Sequence, residues 1–253
     1  MQGEFQKTNR IFTKLKKWTW PLIPIIAFGG LLIPKIGLLL LPIMLTLLIM
    51  GFLKGKYWCG NLCPHAGLFD YLLLPLAPMK AFPRFMTNKL FRTSFFLFYM
   101  SMFIYRLITV APAWGTLDYW DKLGFLMAIN YLVPTLIGTT LALTINPRSW
   151  CTFCPMGMMQ ELAYELRKRI GVRSRQDRVI TMKNTAACKK CNRCNTTCPI
   201  QLSPYKNINS HHQFVDNSCL KCSVCVEKCP LGLLSLENVN NEPDKSNHPT
   251  CSF

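Results

Sequence analysis

The stretch CKKCNRCNTTCP, residues 188–199, and its echo CLKCSVCVEKCP, residues 219–230, decide how the second half of the chain folds. Each reads Cys-x-x-Cys-x-x-Cys-x-x-x-Cys-Pro: Cys188, Cys191, Cys194 and Cys198 in the first, Cys219, Cys222, Cys225 and Cys229 in the second. Three thiolates two residues apart can wrap one iron–sulfur cube, and the chain then leaves before closing it. In two-cluster ferredoxins the fourth cysteine of each run serves the other cluster. The spacing therefore assigns Cys188, Cys191, Cys194 and Cys229 to one [4Fe–4S] cluster, and Cys219, Cys222, Cys225 and Cys198 to a second. Zinc knuckles use two-plus-two spacings and need neither the third cysteine nor the trailing Pro199 and Pro230.

Upstream the character changes. Half of the 253 residues are apolar or aromatic and only 16% are charged, against about a quarter in soluble globular chains. Intrinsic disorder is excluded for most of the chain, since that needs low apolar content. The formal net charge of +17 does not mark a nucleic-acid binder, because the basic residues flank apolar runs. Four such runs are candidate membrane spans: Trp18 to Pro34, Ile36 to Leu53, Thr93 to Ala111 and Leu123 to Ile145. The first two are short for a span of about 20 residues and are separated only by Pro34-Lys35. Four crossings put the basic blocks 7–17, 54–92 and 148–175 on one side, as the positive-inside rule requires. Three crossings would translocate the middle block. Both termini are then expected in the cytoplasm, in the inner (cytoplasmic) membrane, where a disulfide scaffold is excluded. No cleavable signal peptide is expected, because the first apolar run, broken by Pro21 and Pro24, leads straight into another span. Asp70 to Phe82 is too short to span and is expected at the interface.

Four more cysteines follow the second and fourth spans. Trp58-Cys59-x-x-x-Cys63-Pro64-x-x-Gly67 and Trp150-Cys151-x-x-Cys154-Pro155-x-Gly157 share the order Trp, Cys, Cys-Pro, Gly. The membrane half thus reads as two pseudo-repeated hairpins related by an axis along the membrane normal. Such symmetry brings both pairs to the cytoplasmic interface, where four thiolates would make a further shared iron or iron–sulfur site. The competing readings are redox-active thiol pairs or inert structural cysteines. The overall expectation is a mainly α membrane protein: a four-helix transmembrane bundle plus a small α+β bacterial two-cluster ferredoxin-like domain. Its parts are a basic arm at 1–17, the membrane domain at 18–157, an amphipathic helix and basic linker at 158–185, the ferredoxin domain at 186–236, and a polar tail at 237–253. The helix is drawn from one stripe of Met158, Met159, Leu162, Ala163, Leu166 and Ile170, expected to lie on the membrane surface.

The four spans, the two W-C-x-x-(x)-C-P motifs and the C-terminal cluster motifs resemble the NapH-type membrane ferredoxins, quinol-dehydrogenase subunits, within a wider group that includes NosR-type and CcoG-type proteins. The likeness runs from about Phe12 to Leu236 and rests on the twelve motif cysteines. The unequal spacing of the two motifs departs from strict repetition, and the chain has no room for the extra domains of the NosR and CcoG types. The resemblance implies electron transfer between a quinone pool and a protein partner, within a larger oxidoreductase complex. The CcoG-type likeness also implies the alternative of a metal-reducing or metalloenzyme-assembly factor, and a third reading is a docking or anchoring subunit. His65, next to Cys63-Pro64, and Arg106, inside the third span, are candidates for contact with a quinone headgroup, against a solvated histidine and a snorkelling arginine. Asp70 is a weaker candidate of the same kind. Trp58 and Trp150 read as interfacial belt residues or as covers over the shared site. None of the four histidines lies within a span, which disfavours paired-histidine haem. No G-x-G-x-x-G occurs, so a nucleotide-binding domain is not supported. Cys251 belongs to no motif.

Overall fold

A computed structural model of the chain describes residues 5–11, 14–172, 174 and 176–239. The expectations for Cys251 and for the tail beyond residue 239 lie outside them. Among the described residues the structure is mainly helical with one pair of strands. Three helices, rather than the four expected, are long and apolar enough to cross a membrane: Pro34–Lys54, Lys89–Ala113 and Asp118–Thr144.

The segment expected as the first span is broken into Lys14–Thr19 (α1), Leu22–Ala27 (α2) and Gly29–Leu32 (α3). Pro21 and Pro24 explain the first break, since each lacks an N–H for the preceding turn. Ile33 is extended, at φ −126° and ψ 93°, as the residue before a proline prefers to be. A 3-10 turn at Pro34–Leu39 then leads into Leu40–Lys54 (α4). Two short helices follow, Tyr57–Asn61 (α5) and Pro64–Leu68 (α6), and then a π-type turn at Phe69–Leu73. The second half of the bundle comprises Arg84–Thr87 (α7), Lys89–Val110 (α8) and Leu117–Thr144 (α9). It continues in Ser149–Phe153 (α10) and Pro155–Ile170 (α11). Asn88 caps α8 by accepting from the Leu90 N–H at 2.9 Å.

Small residues let the backbones touch. A Cβ on Gly37 would lie 1.9 Å from the Gly124 carbonyl oxygen, and one on Gly124 would lie 2.0 Å from that of Pro34. In α3, a Cβ on Gly30 would lie 2.6 Å from Ala128 Cβ. At the other end of the broken segment, Lys16 and Thr19 press against Gly67, and Phe69 meets Gly138. On α9, Gly124 and Gly138 are fourteen residues apart, roughly 21 Å along the axis. Between these two points α2 and α3 of the broken segment lie against α9. Ile23, Ile26, Ala27, Leu40, Leu123, Leu126, Met127 and Tyr131 form the core between them.

Helix α11 turns a polar face, not its apolar stripe, toward the rest of the protein. Its buried face is Gly157, Gln160, Tyr164 and Arg167, while Leu162, Leu166 and Ile170 are 49%, 54% and 61% exposed. The reason is local fit: Gln160 fills the notch at Gly51, Tyr164 lies over Gly55, and Arg167 pairs with Asp177. The apolar stripe is left facing outward.

The ferredoxin-like region begins before residue 186. Arg178–Met182 (β1) pairs antiparallel with Leu234–Asn238 (β2), Ile180 opposite Leu236. Between them lie two single-turn helices, Arg193–Thr196 (α12) and Val224–Glu227 (α13), and a core of Ile180, Met182, Phe214 and Leu234.

The contact at Gly37 yields a stability test. Gly37→Ala must push α9 away from the 3-10 turn and is expected to cost about 1–3 kcal/mol. Gly29→Ala, whose Cβ would meet only Ile36 at 3.4 Å, serves as the tolerated control. Thermal unfolding of both variants in detergent compares them; equal midpoints would contradict the packing described.

Candidate metal centres

The two Trp-Cys motifs fold alike despite their unequal spacing. Cys59 lies within α5 and Cys151 within α10, each one step after a buried tryptophan. Cys63 and Cys154 stand at the N-cap of the next helix with nearly the same backbone, φ −58°, ψ 125° and φ −55°, ψ 128°. The following Pro64 and Pro155 occupy the first helical position, where a missing N–H costs nothing. All four cysteines line one cavity of about 910 Å³, counting its open mouth.

Each of the four sulfurs has an N–H donor. Gln160 Nε2 donates to Cys59 Sγ at 3.0 Å, and Arg148 Nη1 reaches Cys151 Sγ at 3.6 Å. The backbone N–H of Ala66 serves Cys63, and those of Met156 and Gly157 serve Cys154. Donors of this kind favour a thiolate, yet burial and neighbouring thiols push Cys59, Cys63 and Cys154 up to about 12. A bound metal removes the proton outright. The chemistry of the donor set therefore fits metal ligation.

Beneath the cysteines lie two reciprocal ion-pair networks. Asp70 stands seven residues after Cys63, and Glu161 seven after Cys154. Lys56 stands three before Cys59, and Arg148 three before Cys151. Each carboxylate takes the cation of the other repeat. Arg148 donates to Asp70 through Nε at 3.1 Å and Nη2 at 2.5 Å, while Lys56 pairs with Glu161 at 2.5 Å. A second cation comes from the helix opening each half: Lys16 on Asp70 at 2.6 Å, and Arg92 on Glu161 at 2.7 Å. Burial would raise the Asp70 carboxyl, but Arg148, Lys16 and Arg10 outweigh it and hold it well below the usual carboxylate range. Arg148, Lys16 and Lys56, read from sequence as topology signals, are thus buried structural ions, and Asp70 is an anchor inside the protein. The equal offsets from the cysteines were a signal in the sequence that composition and span counting passed over.

His65 lines the cavity. Its Nε2 lies 2.8 Å from Thr135 Oγ1, whose own hydroxyl donates to the Tyr131 carbonyl. Burial pushes the ring down to about 4, so it is neutral at pH 7. Arg106 does not line the cavity. It stands on α8 one turn beyond Phe103, which does. Tyr131 was not singled out from sequence, yet its hydroxyl is buried in the same cavity with no hydrogen-bond partner among the described residues.

In the ferredoxin-like region two further cavities are ringed by cysteines. One is lined by Cys198, Cys219, Cys222 and Cys225, the other by Cys188, Cys191, Cys194 and Cys229. The last cysteine of each run thus lines the cavity of the other run. Residues flanking each middle cysteine are left-handed, with φ of 51° and 61° at Lys190 and Asn192 and again at Lys221 and Ser223. Such geometry curls a loop around a central space and turns its N–H groups inward. Burial pushes Cys198 and Cys219 up to about 12. The first of these cavities abuts the helical half, where Cys59 packs with Ile200 and Leu220, flanked by Cys198 and Cys222. Gly60 is required there, since a Cβ would lie 2.1 Å from the Leu220 carbonyl oxygen. Among the described residues the twelve cysteines are all free thiols. None of these residues forms a group of three or more Cys, His, Asp or Glu drawn together tightly enough to hold a single bare ion.

Residues 180–230 match the 4Fe-4S dicluster domain family, and residues 36–78 and 128–173 each match the 4Fe-4S binding domain family. No curated protein and no solved structure matches the chain. The matches support an iron–sulfur protein with an electron-transfer role, and the twofold match within the helical half agrees with its repeated cysteine motifs.

Removing one partner of a buried pair costs about 3–5 kcal/mol, because the other charge is stranded. Asp70→Asn is expected to fall in this range. Its folded-state carboxyl lies below its unfolded value, so the stabilisation is complete above the ordinary carboxylate range and fades only as pH falls through the lowered value. The deficit of Asp70→Asn should therefore be the same at pH 6 and pH 8, measured by thermal unfolding. Asp70→Leu combined with Arg148→Met should cost less than the sum of the two single changes; strict additivity would contradict the pairing.

Proposed function

We propose that the chain is a membrane-bound electron-transfer subunit of an oxidoreductase complex, passing electrons between a quinone pool, or a partner's cofactor, and two [4Fe–4S] clusters in its ferredoxin-like region. The observation that carries this reading is the single cavity at the foot of α4, α8 and α9. It gathers four cysteines on one side, an apolar wall of Leu40, Ile43, Met44, Leu47 and Phe103 on another, and the free hydroxyl of Tyr131. The ligands would be Cys59, Cys63, Cys151 and Cys154 for the shared site. Cys219, Cys222, Cys225 and Cys198 would serve the inner ferredoxin cluster, and Cys188, Cys191, Cys194 and Cys229 the outer one. Clusters at these sites supply one-electron carriers.

The surrounding residues bind and orient. The apolar wall accepts a flat hydrophobic headgroup and excludes water. Tyr131 donates its hydroxyl to a carbonyl oxygen there, and the neutral ring of His65 lines the same space. Burial of Cys59 against Leu220 keeps the shared site next to the inner ferredoxin cavity without intervening solvent.

The membrane reading rests on the three long apolar helices and on the broken segment α1–α3, which we take as a fourth crossing. It runs beside α9 from the cysteine end toward Gly124. The cysteine end then faces the cytoplasm of the inner membrane, with both termini, because the Lys and Arg residues gather there. Carriers on one side alone cannot serve a substrate on the other, so partner subunits are implied.

Two measurements test the reading. Cys59→Ala or Cys151→Ala should remove iron and sulfide beyond the two ferredoxin clusters; unchanged iron would sink the shared site. Tyr131→Phe should slow quinol-dependent reduction of the clusters about tenfold, as the loss of one hydrogen bond of about 1.4 kcal/mol implies, and leave dithionite reduction untouched. An isolated protein with no quinol-linked EPR signal would favour an assembly factor or a docking subunit.

A further inference from the structure

The arm formed by residues 5–11 is built into the protein. The Gln6 N–H donates to the Thr196 carbonyl at 3.1 Å, two residues before Cys198, and Lys16 Nζ donates to the Arg10 carbonyl at 2.7 Å. Held at both points, the arm passes between the ferredoxin-like region and Asp70, and Arg10 is only 2% exposed.

The Arg10 side chain is in surplus. Asp70 is already served by Arg148 and Lys16, and Arg10 Nη1 stands 3.7 Å from its Oδ1, beyond hydrogen-bond range. Nε and Nη1 of Arg10 have no hydrogen-bond acceptor among the described residues. Three buried cations thus share one carboxylate. A buried guanidinium with unmet N–H groups is costly unless an anion faces it. Cys222 and Cys198, both lining the inner ferredoxin cavity, lie within electrostatic reach of Arg10, and Cys222 within that of Lys16 as well.

We propose that Arg10 is the counter-ion of the cluster held by Cys198, Cys219, Cys222 and Cys225, and that it sets that cluster's reduction potential. The inference rests on the iron–sulfur reading above and deepens it. A [4Fe–4S] cube with four thiolates carries a formal charge of about −2 when oxidised. Reduction adds one electron, makes and breaks no bond, and increases the negative charge that a buried cation stabilises. Arg10 therefore raises the potential of the inner cluster. Among the described residues no buried cation lines the outer cavity: Lys190 and Arg193 at its edge are exposed, so water and salt screen them. The inner cluster then becomes the favoured resting place of the electron, beside the four-cysteine cavity. Arg10 is a positioning residue, since it touches the carrier's environment and not the substrate.

The test uses the full-length purified protein, reduced stepwise with dithionite and followed by EPR, with iron content measured in parallel. Arg10→Gln should keep its iron and lower the midpoint of one ferredoxin cluster by about 59 mV or more, a tenfold change in the one-electron equilibrium. The other cluster should not move. Arg10→Lys should recover most of the shift. Unchanged midpoints with full iron would overturn the proposal and leave Arg10 as a packing residue. Should Arg10→Gln lose its iron, the unaltered protein labelled with [15N]arginine decides. Its reduced clusters should show a weak nitrogen coupling by pulsed EPR that Arg10→Lys removes, and identical spectra would overturn the proposal. Absence of any ferredoxin-type signal in the unaltered protein would instead refute the functional reading, before any substitution at Arg10 is made.

Discussion

A carboxylate with almost no contact with water holds this structure together. Asp70 is 4% exposed and its charge is met by cations from three parts of the chain: Arg10 in the arm, Lys16 in α1 and Arg148 after the last long helix. An ionised carboxylate cannot be buried without such company, because desolvation alone costs several kcal/mol. The arm, the broken first segment and the second cysteine motif must therefore converge on one point. Arg148 then carries the constraint onward, donating to the Cys59 carbonyl at 3.0 Å and reaching the Cys151 sulfur.

The reciprocal network at Glu161 completes a pseudo-twofold arrangement. Each repeat supplies the carboxylate that neutralises the cation of the other, so neither half of the helical domain is electrostatically complete alone. Glu161 also accepts from Ser218 Oγ at 3.0 Å, and Asp177 binds Arg167 and Tyr164 of α11 together with Lys221 beside the inner cavity. Fixed charges thus clamp the ferredoxin-like region onto the helical half, and Gly60 removes the side chain that would keep the two backbones apart. Cysteines from both regions end up in one packed cluster around Cys59, Ile200 and Leu220. For electron transfer this matters more than any single ligand, since the spacing between carriers is set by the rigidity of the joint.

The cysteine spacing was the most legible feature. A loop that must turn around a cube leaves a local record in Cys-x-x-Cys-x-x-Cys, and the crossed fourth cysteines at 198 and 229 follow from how little chain remains after each third one. The strand pair was less legible: β1 carries no motif, and its partner lies more than fifty residues away at Leu234–Asn238. The apolar stripe of α11 was legible, but what its other face meets was not, because periodicity does not name the partner of a buried polar residue. Gly51, Gly55 and Asp177 prefer Gln160, Tyr164 and Arg167, and the apolar face is left for the surroundings.

By itself the sequence determined the residue chemistry and the local turns: eight cysteines in two cluster-type runs, two Trp-Cys motifs, and long apolar helices that stop at prolines and glycines. Those are encoded over a few residues, where backbone sterics and ligand spacing act directly. Only the tertiary structure decided that the two Cys pairs share one cavity, that Tyr131 points an unpaired hydroxyl into it, and that Arg10 is buried beside Asp70. Each of these depends on which distant surfaces meet. A positive charge in an N-terminal arm reads as a topology signal until the fold removes the water around it; then it must find an anion, and its place in the chain says nothing of which one.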